Sequence, residues 1–578
     1  MNLWIQKLTL PWLLLAGLSW AEPAKKSPDL KLPPGGNGPI RVLIQHQPGT
    51  QAQLGQLLQQ LGGASFGRLA DDLASAELPL SVVDMLLSRT EVRYVTPDRP
   101  VRGALEFAVP TIGADLALRA GWDGEGVSIA VIDSGINKKS EDLGLIVGPV
   151  KQALASRVIY EESFVPGDRS PQDRYGHGTH VAGILAGNAA NSTGPTFFRT
   201  FRGVAPAVRL VNLKVLDDQG RGSDSSVIAA IERAIQLKNA LNIRVINLSV
   251  GRPVFESFRL DPLCQAVERA WRAGIVVVVA AGNYGRINSF NNSGYGTITA
   301  PANDPFVITV GAMKDMGTLS RADDRIASYS SKGPTLADAI VKPDLVAPGN
   351  RIISVASPWS LLTSASTANR VPWTYYSRLS LPGYSTDYVL LSGTSMAAPM
   401  AAATAAAMLQ KDPSLTPDTI KARLMKTATK TFPLMSTAYD PTTGRSYTSY
   451  YDIFTVGAGY LDSWAALNST DQASGLGSAA SPRVSFDSSS RTLRVVNGTY
   501  APWAAPAIWG TSSAWGIPAV WGTSAFSDGS ASVWGASTVT TSVDALSAAW
   551  GTYEAEALSA AWGTYESEAM SRMTGGEN

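Results

Sequence analysis

A serine at the start of an apolar helical segment is the first residue whose position suits chemistry. Gly393, Thr394 and Ser395 precede an Ala- and Met-rich run that predicts a helix to Leu409. At a helix N-terminus, unpaired backbone N–H groups and the positive end of the helix dipole can stabilise an oxyanion, and a glycine lets a substrate come close. This position therefore suits a nucleophile, provided that the chain supplies a base and a means to orient it.

The chain has three histidines, so the choice of an imidazole base is narrow. His46 lies in a separate N-terminal segment, whereas His177 stands between two glycines at the start of a helical stretch and can project into a cleft. His180 shares a helix face with Ile184 and is interpreted as packed or hydrogen-bonded internally. Zinc bound by His177 and His180 is the alternative, but their i,i+3 spacing lacks the Glu of the His-Glu-x-x-His motif and no further Cys or His partners remain.

Two polar residues that follow apolar runs complete the set. Asp133 ends the run that begins at Ala130, where its carboxylate can accept the proton-bearing nitrogen of His177 and hold the tautomer of that ring. Asn283 can offer a side-chain N–H to an oxyanion, beside the backbone N–H of Ser395. Each residue taken singly also fits an ordinary turn or helix cap. All four in one domain predict nucleophilic serine catalysis.

The elements that must position these residues alternate between strand and helix from about Gly121 onward. Apolar runs predict strands at residues 127–132, 210–215, 245–250, 275–280 and 306–310, with helices between them at 226–238 and 262–273. Continuous apolar strands separated by helices are typical of a mostly parallel sheet covered on both faces, so we expect a three-layer α/β domain. Ligands of such sheets gather at the carboxyl ends of the strands, where Asp133, Ser249 and Asn283 fall.

The N-terminal residues have the pattern of an export signal. Lys7 precedes the apolar residues 8–20, which are too few to span a bilayer, and residues 19–21 (Ser-Trp-Ala) have the small-x-small form that signal peptidase reads. We therefore expect residues 1–21 to be a signal peptide. The mature chain is expected to be secreted, either extracellular or periplasmic, with no transmembrane segment.

A Pro- and Gly-rich linker follows, and then a small module of mixed pattern. Strands are expected at residues 41–44 and 92–95, and helices at 51–61 and 81–87. A segment of this kind predicts a small α+β module. Its position between a signal peptide and a candidate catalytic domain suggests a removable chaperone and inhibitor.

Composition narrows the class of protein further. The chain has 578 residues, of which 45% are hydrophobic and 16% are charged, and its net charge is +1. It can therefore bury a large core, and its charge balance gives no electrostatic case for nucleic-acid binding. Its single cysteine, Cys264, rules out an internal disulfide, and the apolar helical setting of that residue indicates a small core side chain.

Taken together, these motifs resemble the subtilisin-like serine protease (subtilase) family. The resemblance covers about residues 105–468 and keeps the order Asp, His, Ser. It is carried by Val131-Ile132-Asp133-Ser134-Gly135, His177-Gly178-Thr179-His180-Val181-Ala182-Gly183, Ala281-Gly282-Asn283 and Ser392-Gly393-Thr394-Ser395-Met396-Ala397-Ala398-Pro399. The resemblance implies a secreted endopeptidase that hydrolyses peptide bonds through an acyl-enzyme. Asp133, His177 and Ser395 would be catalytic, and Asn283 with the N–H of Ser395 would form the oxyanion hole.

The family likeness also implies how the enzyme matures and how it holds polypeptide substrates. The module within residues 22–104 would be a propeptide that folds and inhibits the enzyme and is removed autocatalytically, leaving residues 105–468 as the catalytic domain. Residues 359–388 form an insertion before the nucleophile, expected to shape the cleft. The residues expected to bind substrate, on two edges that pair with its backbone and in the pocket before the cut, are Ser249, Val250, Gly251, Gly220, Gly222, Ala281, Gly282 and Thr299.

The resemblance implies no cofactor for catalysis. Calcium is common in the family, but the acidic pairs at residues 217–218 and 323–324 lack an Asp-x-Asp-x-Asp-Gly loop and are interpreted as surface pairs. Structural calcium stays an open alternative, and no residue is assigned as a metal ligand.

The last part of the chain differs in composition from the rest. Residues 469–578 are rich in Ser, Ala, Thr and Gly, and are interpreted as a low-complexity extension that is either weakly ordered or makes contact with sugars, an envelope or a partner. An alternative function follows, in which an inert protease-like scaffold binds a surface or partner through this extension. The presence of all four site residues argues against it. The Trp-Gly dipeptides of the extension begin at Trp509, Trp515, Trp521, Trp534, Trp550 and Trp562.

Overall fold

The chain divides into two compact units, Met1–Val101 and Arg102–Asn578. A computed structural model describes residues 25, 40–60, 65–70, 72–97, 105–145, 156–287, 293–365, 368–379, 382–440, 443–473, 475–487, 492–496, 523–525, 531–533, 538–539, 573 and 577. The signal peptide expected at residues 1–21 and the Trp-Gly dipeptides of the extension lie outside the described residues.

The first unit is a four-stranded antiparallel sheet with two helices. Its elements are β1 (Ile40–His46), α1 (Gln51–Gln60), β2 (Ser65–Ala70), β3 (Leu73–Leu78), α2 (Leu80–Leu87) and β4 (Val92–Pro97). The strand order is β2-β3-β1-β4, and the core contains side chains from sheet and helices, among them Ile44, Leu54 and Val83. The α+β prediction is confirmed, but β2 and β3 were not predicted, because neither strand contains a β-branched residue.

The second unit alternates strands and helices over most of its length. Its helices are α3 (Leu105–Thr111), α4 (Ala114–Arg119), α5 (His177–Ala186), α6 (Asp224–Leu241), α7 (Pro262–Arg272), α8 (Leu361–Ala365), α9 (Thr394–Lys411), α10 (Pro417–Thr427) and α11 (Ser463–Asn468). Its strands are β5 (Ser128–Asp133), β6 (Val158–Ser163), β7 (Arg209–Lys214), β8 (Ile243–Leu248), β9 (Val276–Ala280), β10 (Ile308–Lys314), β11 (Arg325–Ile326), β12 (Leu345–Pro348), β13 (Ile352–Val355), β14 (Arg370–Pro372), β15 (Tyr384–Leu391), β16 (Met435–Asp440), β17 (Arg445–Tyr450), β18 (Arg483–Asp487), β19 (Thr492–Val496), β20 (Thr523–Ala525), β21 (Ala531–Val533) and β22 (Thr538–Val539).

Eight of these strands form the central sheet. Their order is β11-β10-β9-β8-β5-β7-β6, with β12 also paired to β10. All of these pairs are parallel except β10 with β11. The five strands expected from apolar runs correspond to β5, β7, β8, β9 and β10, so the prediction of a mostly parallel α/β sheet is confirmed.

Helices pack against the sheet as two pairs. α5 packs on α9, and α9 lies against β8, β9 and β10, while α6 packs on α7 and these two helices lie against β8 and β9. Residues 394–409 of α9 are all buried and mostly Ala, Met or Leu. A helix that is apolar on all sides is typical of the interior of a large protein. The packing of α9 on β8, β9 and β10 fixes the position of its N-terminus relative to the sheet. Among the described residues, no helix is long and apolar enough to cross a membrane.

A buried charge cluster connects the residues just before β12 with α10. Lys342 Nζ lies 2.7 Å from Asp344 Oδ2, and Lys421 Nζ lies 3.2 Å from Asp344 Oδ1, with all three side chains fully buried. The hydroxyl of Ser481 donates to the same carboxylate at 2.5 Å. Since Ser481 lies beyond residue 468, the second unit continues past the boundary expected for the catalytic domain.

The two ends of the segment 105–468 meet. The backbone N–H of Ser463 donates to the carbonyl oxygen of Ile112 at 2.7 Å, and α11 packs on α4. Gly113 lies so close to Trp464 that a Cβ added at Gly113 would be 3.3 Å from that of the tryptophan. The first helices of the second unit are therefore held by its last catalytic-domain helix.

Candidate active site

The carboxyl ends of the parallel strands bring the expected site residues to one edge of the sheet. Asp133 is the last residue of β5, and Asn283 follows the end of β9. His177 is the first residue of α5, and Ser395 is the second residue of α9. This is the edge where ligands bind in open α/β sheets, so the topology itself explains why these four residues lie together.

Asp133 and His177 form a buried pair. His177 Nδ1 lies 2.8 Å from Asp133 Oδ1, which also accepts the backbone N–H of Ser134 at 2.7 Å. Burial by itself lowers the pKa of His177, but the charge and hydrogen bond of Asp133, with the charge of Asp173, outweigh it and raise the pKa above 6.5. With Nδ1 donating to the carboxylate, Nε2 is the nitrogen available to a substrate or nucleophile.

Asp173 holds the turn that precedes α5. One of its carboxylate oxygens accepts the hydroxyl of Ser134 at 2.9 Å and the N–H of Gly176 at 2.6 Å, while the other accepts the N–H and the hydroxyl of Thr179 at 2.8 and 2.6 Å. These bonds connect the end of β5 to the first turn of α5. Asp173 was not assigned from the sequence, although a carboxylate four residues before the glycine-flanked histidine was a signal for it.

Ser395 is almost completely buried and lies at the base of the same cleft. Its hydroxyl donates to the carbonyl oxygen of Ser249 at 3.2 Å, and the hydroxyl of Ser249 donates to the carbonyl oxygen of Ser395 at 3.0 Å. Among the described residues the hydroxyl of Ser395 has no hydrogen bond to His177, although both residues line the cleft. Hydrogen bonds between catalytic groups are commonly long before a substrate binds, and rotation about χ1 of Ser395 redirects its hydroxyl.

Asn283 faces the turn that carries Ser395. Its Oδ1 accepts the N–H and the hydroxyl of Thr394 at 2.9 and 3.1 Å. A Cβ added at Gly393 would lie 3.2 Å from Asn283 Nδ2, so glycine is needed there to admit the amide. Because its oxygen is engaged, the side chain of Asn283 offers its N–H groups to the cleft.

The cleft has a volume of about 530 Å³, and the expected substrate-binding residues line it with one exception. Ala281 is fully buried and its N–H pairs with Val310, so Ala280 lines the cleft in its place. The expected place of Ala281 in the pocket wall stays a prediction, with its neighbours Ala280 and Gly282 on the cleft surface. The expected residues that do line the cleft are Ser249, Val250, Gly251, Gly220, Gly222, Gly282 and Thr299.

Tyr175 narrows the cleft from the side of His177. A Cβ added at Gly220, whose φ is +76°, would lie 2.5 Å from the ring of Tyr175, so this turn requires glycine. Within the expected insertion 359–388, the N–H of Leu362 donates to the carbonyl oxygen of Tyr175 at 3.0 Å. The insertion therefore buttresses the residues just before His177.

The remaining candidates for metal or thiol chemistry have structural positions. His180 Nε2 pairs with the carbonyl oxygen of Ile352 at 2.9 Å, and burial lowers the pKa of His180 to about 3, so its interpretation as an internal hydrogen-bonding residue is confirmed. Cys264 is fully buried in α7, as predicted, and burial raises the pKa of its thiol.

The acidic pair at 323–324 was interpreted as a surface pair, and this is wrong for one member. Asp324 is only 2% exposed, and burial raises the pKa of its carboxyl to about 7. The adjacent residues in sequence, Asp323 and Arg325, are charged and gave no signal of this burial. Within the described part of the chain, no group of three or more His, Cys, Asp or Glu side chains is arranged to hold a metal ion.

Comparison with known proteins finds relatives in one protein family. The profile of the Subtilase family matches residues 124–447. Serine protease AprX of Bacillus subtilis (strain 168) is 38% identical over 364 residues, 61% of this chain and 73% of that protein. Subtilisin DY of Bacillus licheniformis is 35% identical over 323 residues, 56% of this chain and 91% of that protein. A cold-adapted subtilisin-like serine proteinase of known crystal structure is 29% identical, with a TM-score of 0.36, over 53% of this chain and 83% of that chain.

The fold and the family match together define the class of protein. The chain belongs to the subtilase family. It is a serine endopeptidase, a hydrolase of the subtilisin type.

Proposed function

We propose that this endopeptidase cleaves peptide bonds through an acyl-enzyme formed on Ser395, with His177 as general base and Asp133 as the group that orients it. The observation that carries the proposal is the buried contact of 2.8 Å between His177 Nδ1 and Asp133 Oδ1, at a cleft that Ser395 also lines. This contact keeps the proton on Nδ1 and leaves Nε2 unprotonated toward the cleft.

The reaction follows from these positions. Ser395 Oγ attacks the substrate carbonyl carbon while His177 Nε2 takes the hydroxyl proton, and Asp133 stabilises the imidazolium that forms. Asn283 Nδ2 and the backbone N–H of Ser395 donate to the tetrahedral oxyanion. His177 then gives the proton to the leaving amine, and a water molecule, activated by the same nitrogen, hydrolyses the acyl-enzyme.

Backbone pairing supports action on extended polypeptides. Residues 249–251 line the cleft together with Gly220 and Gly222. A chain lying between two backbone edges of this kind would be held by hydrogen bonds that do not depend on its side chains. We therefore infer a broad endopeptidase that acts on unfolded segments or loops, with selectivity set by the pocket at Gly282 and Thr299.

Maturation and export are part of the same proposal. We infer that residues 1–21 direct secretion, that the unit containing β1 to β4 is the inhibitory part of a propeptide within residues 22–104, and that the enzyme removes it. The catalytic domain would begin near residue 105. N-terminal sequencing of the secreted form, together with its mass, tests these boundaries.

Replacement of the nucleophile tests the mechanism. Ser395→Ala is expected to abolish labelling by a fluorophosphonate and to lower kcat by about 10⁶, a magnitude known for subtilisin itself. It should also leave an unprocessed precursor if the propeptide is removed by the enzyme. Ser225→Ala, an exposed serine in α6, is the matched control and should keep full activity. Casein clearing by the Ser395→Ala protein would rule out this mechanism, and no clearing by the unaltered protein would favour the inert scaffold.

A further inference from the structure

A glutamate far along the extension is buried inside the second unit. The side chain of Glu577 is 2% exposed. Its Oε1 lies 3.2 Å from Lys314 Nζ, and its Oε2 lies 3.4 Å from Arg286 Nη2. Oε2 also accepts the N–H and the hydroxyl of Ser328 at 2.9 and 3.0 Å. A carboxylate is buried at tolerable cost only when paired and hydrogen-bonded in this way.

The backbone of Glu577 is held as firmly as its side chain. Asn350 Nδ2 donates to the carbonyl oxygen of Glu577 at 2.7 Å, and the N–H of Glu577 donates to Asn350 Oδ1 at 2.9 Å. This two-way pairing fixes the backbone of Glu577 in addition to its carboxylate. We call the residues around the carboxylate and its peptide unit the carboxylate pocket; its members are Arg286, Lys314, Ser328 and Asn350.

The carboxylate pocket adjoins the turn that carries the nucleophile. Gly349, directly before Asn350, accepts the N–H of Gly393 at 2.8 Å. Arg351, directly after it, donates its N–H to the hydroxyl of Ser392 at 2.8 Å. The pocket and the nucleophile turn are therefore connected by two backbone-anchored hydrogen bonds on either side of one residue.

Met573, the other described residue of this stretch, lies in the catalytic cleft. Its carbonyl oxygen accepts the N–H of Ser392 at 2.8 Å, and its sulfur lies 4.0 Å from the hydroxyl of Tyr175. Met573 lines the same cleft as His177 and Ser395, and its side chain packs on the main core of the unit. Met573 therefore occupies space in the cleft that a substrate needs.

We propose that the carboxylate pocket is a second peptide-binding site of the catalytic unit, whose occupant is the chain's own Glu577, and that binding of Glu577 seats Met573 in the cleft as an intramolecular competitor of substrate. The proposal rests on the proposed function, because the competition exists only if Ser395 acts on substrates in this cleft. The pocket selects an acidic peptide, since two cations and two N–H or O–H donors face the carboxylate.

Charge neutralisation of the occupant is the first test. Glu577→Gln in the full chain keeps the shape but removes the charge that Arg286 and Lys314 attract, so the occupant should leave. The cleft is then open in a larger fraction of molecules, and KM for a peptide substrate that spans the cleavage site should fall about threefold or more at unchanged kcat. Glu125→Gln, at an exposed site, is the control and should leave KM unchanged.

A second variant tests the proposal independently in case Glu577→Gln fails to fold. Met573→Ala leaves the carboxylate pocket intact and shortens only the side chain in the cleft, so it should also lower KM, and the contact that it loses with the core should lower the melting temperature only slightly. A fall in melting temperature on Glu577→Gln with KM unchanged in both variants would make Glu577 a purely structural residue and overturn the proposal.

Binding in trans tests the site without relying on turnover. The probe is a synthetic peptide with the sequence of residues 573–578, titrated by calorimetry into the secreted protein carrying Glu577→Gln, after a fluorophosphonate has blocked Ser395 to stop self-digestion. Saturable binding of this peptide, and none of the peptide with Gln in place of Glu, supports the site even if the unaltered protein proves inactive. No binding of either peptide to a folded variant would overturn it.

Discussion

Thr394 donates both its backbone N–H and its hydroxyl to the side-chain oxygen of Asn283, at 2.9 and 3.1 Å. The residue before the nucleophile thus orients the amide that faces the cleft. With the oxygen engaged, Asn283 can meet negative charge only with its N–H groups. The oxyanion site and the nucleophile turn are therefore one hydrogen-bonded assembly, which makes the role of Asn283 open to a sharp test.

Asn283→Leu should lower kcat and leave KM nearly unchanged, because the amide donates to charge that develops only in the tetrahedral intermediate. The expected loss is about 10²–10³ in kcat, a value known for subtilisin and used here by family likeness. Asn283→Asp should be at least as harmful, since a carboxylate repels the oxyanion. Thr394→Val, which keeps the N–H but loses the hydroxyl, is the control with a smaller loss. A raised KM at constant kcat would instead make Asn283 a ground-state binding residue.

The pH dependence of kcat/KM should report the ionisation of His177. Asp133 raises the pKa of His177 above 6.5, and the imidazole must be neutral to accept the proton of Ser395. Activity should therefore rise with pH through a midpoint above 6.5 and reach a plateau in the mildly alkaline range. Initial rates on a neutral peptide substrate between pH 5 and 10 measure this, and a midpoint below 6 would contradict the buried ion pair.

The same pair should affect stability in the opposite direction. Because the folded-state pKa of His177 is raised above its unfolded value, the stability that this pair contributes is fully present below about pH 6.5 and is lost as pH rises through the folded pKa. Denaturant unfolding of the Ser395→Ala protein, which avoids self-digestion, measures the trend. His177→Gln in that background should flatten this part of the stability profile, and an unchanged slope would contradict the assignment.

Asp173→Asn tests whether Asp173 influences the pKa of His177 or only stabilises the fold. The new amide N–H₂ must face at least one donor among Gly176 and Thr179, so stability should fall by about 1–3 kcal/mol. The loss of the charge of Asp173 should also lower the pKa of His177 and shift the kcat/KM profile toward acid pH. Ser357→Ala removes a hydroxyl that donates to the backbone carbonyl of Asp173 at 2.6 Å, keeps the charge, and should leave the profile unmoved. A destabilised Asp173→Asn enzyme with an unshifted profile would reduce Asp173 to a structural role.

Asp344→Asn should be among the most destabilising single changes in the second unit. It leaves Lys342 and Lys421 buried without their shared counter-charge, which costs about 3–5 kcal/mol. Burial already lowers the pKa of Lys421 to about 7, so the loss should grow as pH falls and Lys421 must be charged. Denaturant unfolding at pH 8 and pH 6 measures it, and Asp115→Asn, in an exposed pair with Arg119, should cost under about 1 kcal/mol. Equal losses in the two variants would contradict this account.

The central sheet was predictable because its strands are buried on both faces and read as unbroken apolar runs. The bounds of individual strands were predicted less accurately. The strand expected at 245–250 is β8 (Ile243–Leu248), because the sheet pairing ends before Ser249, which lines the cleft. β6 escaped prediction because its apolar residues are followed by two glutamates and it lies at the edge of the sheet, where polar residues are tolerated.

The residues of the site likewise include some that the sequence predicted and some that it did not. Motifs of local sequence predicted Asp133, His177 and Ser395, because each stands at the end of a strand or the start of a helix, where position follows from the element. The contributions of Asp173 and Met573 depend on contacts with distant partners in sequence, Ser134 for Asp173 and Ser392 for Met573. The contact of Met573 leaves no periodicity in the sequence, whereas the place of Asp173 four residues before His177 was a signal that the sequence analysis did not use.

The meeting of Ile112 with Ser463 has a consequence for the order of residues along the chain. Because the two ends of the catalytic segment touch, the fold does not require the chain to begin and end at that point. A circularly permuted chain, joined across this contact and opened at the exposed loop near Leu260, would carry the same constellation in the order Ser, Asp, His. The order Asp, His, Ser is therefore one of several orders along the chain that are compatible with the same arrangement of site residues.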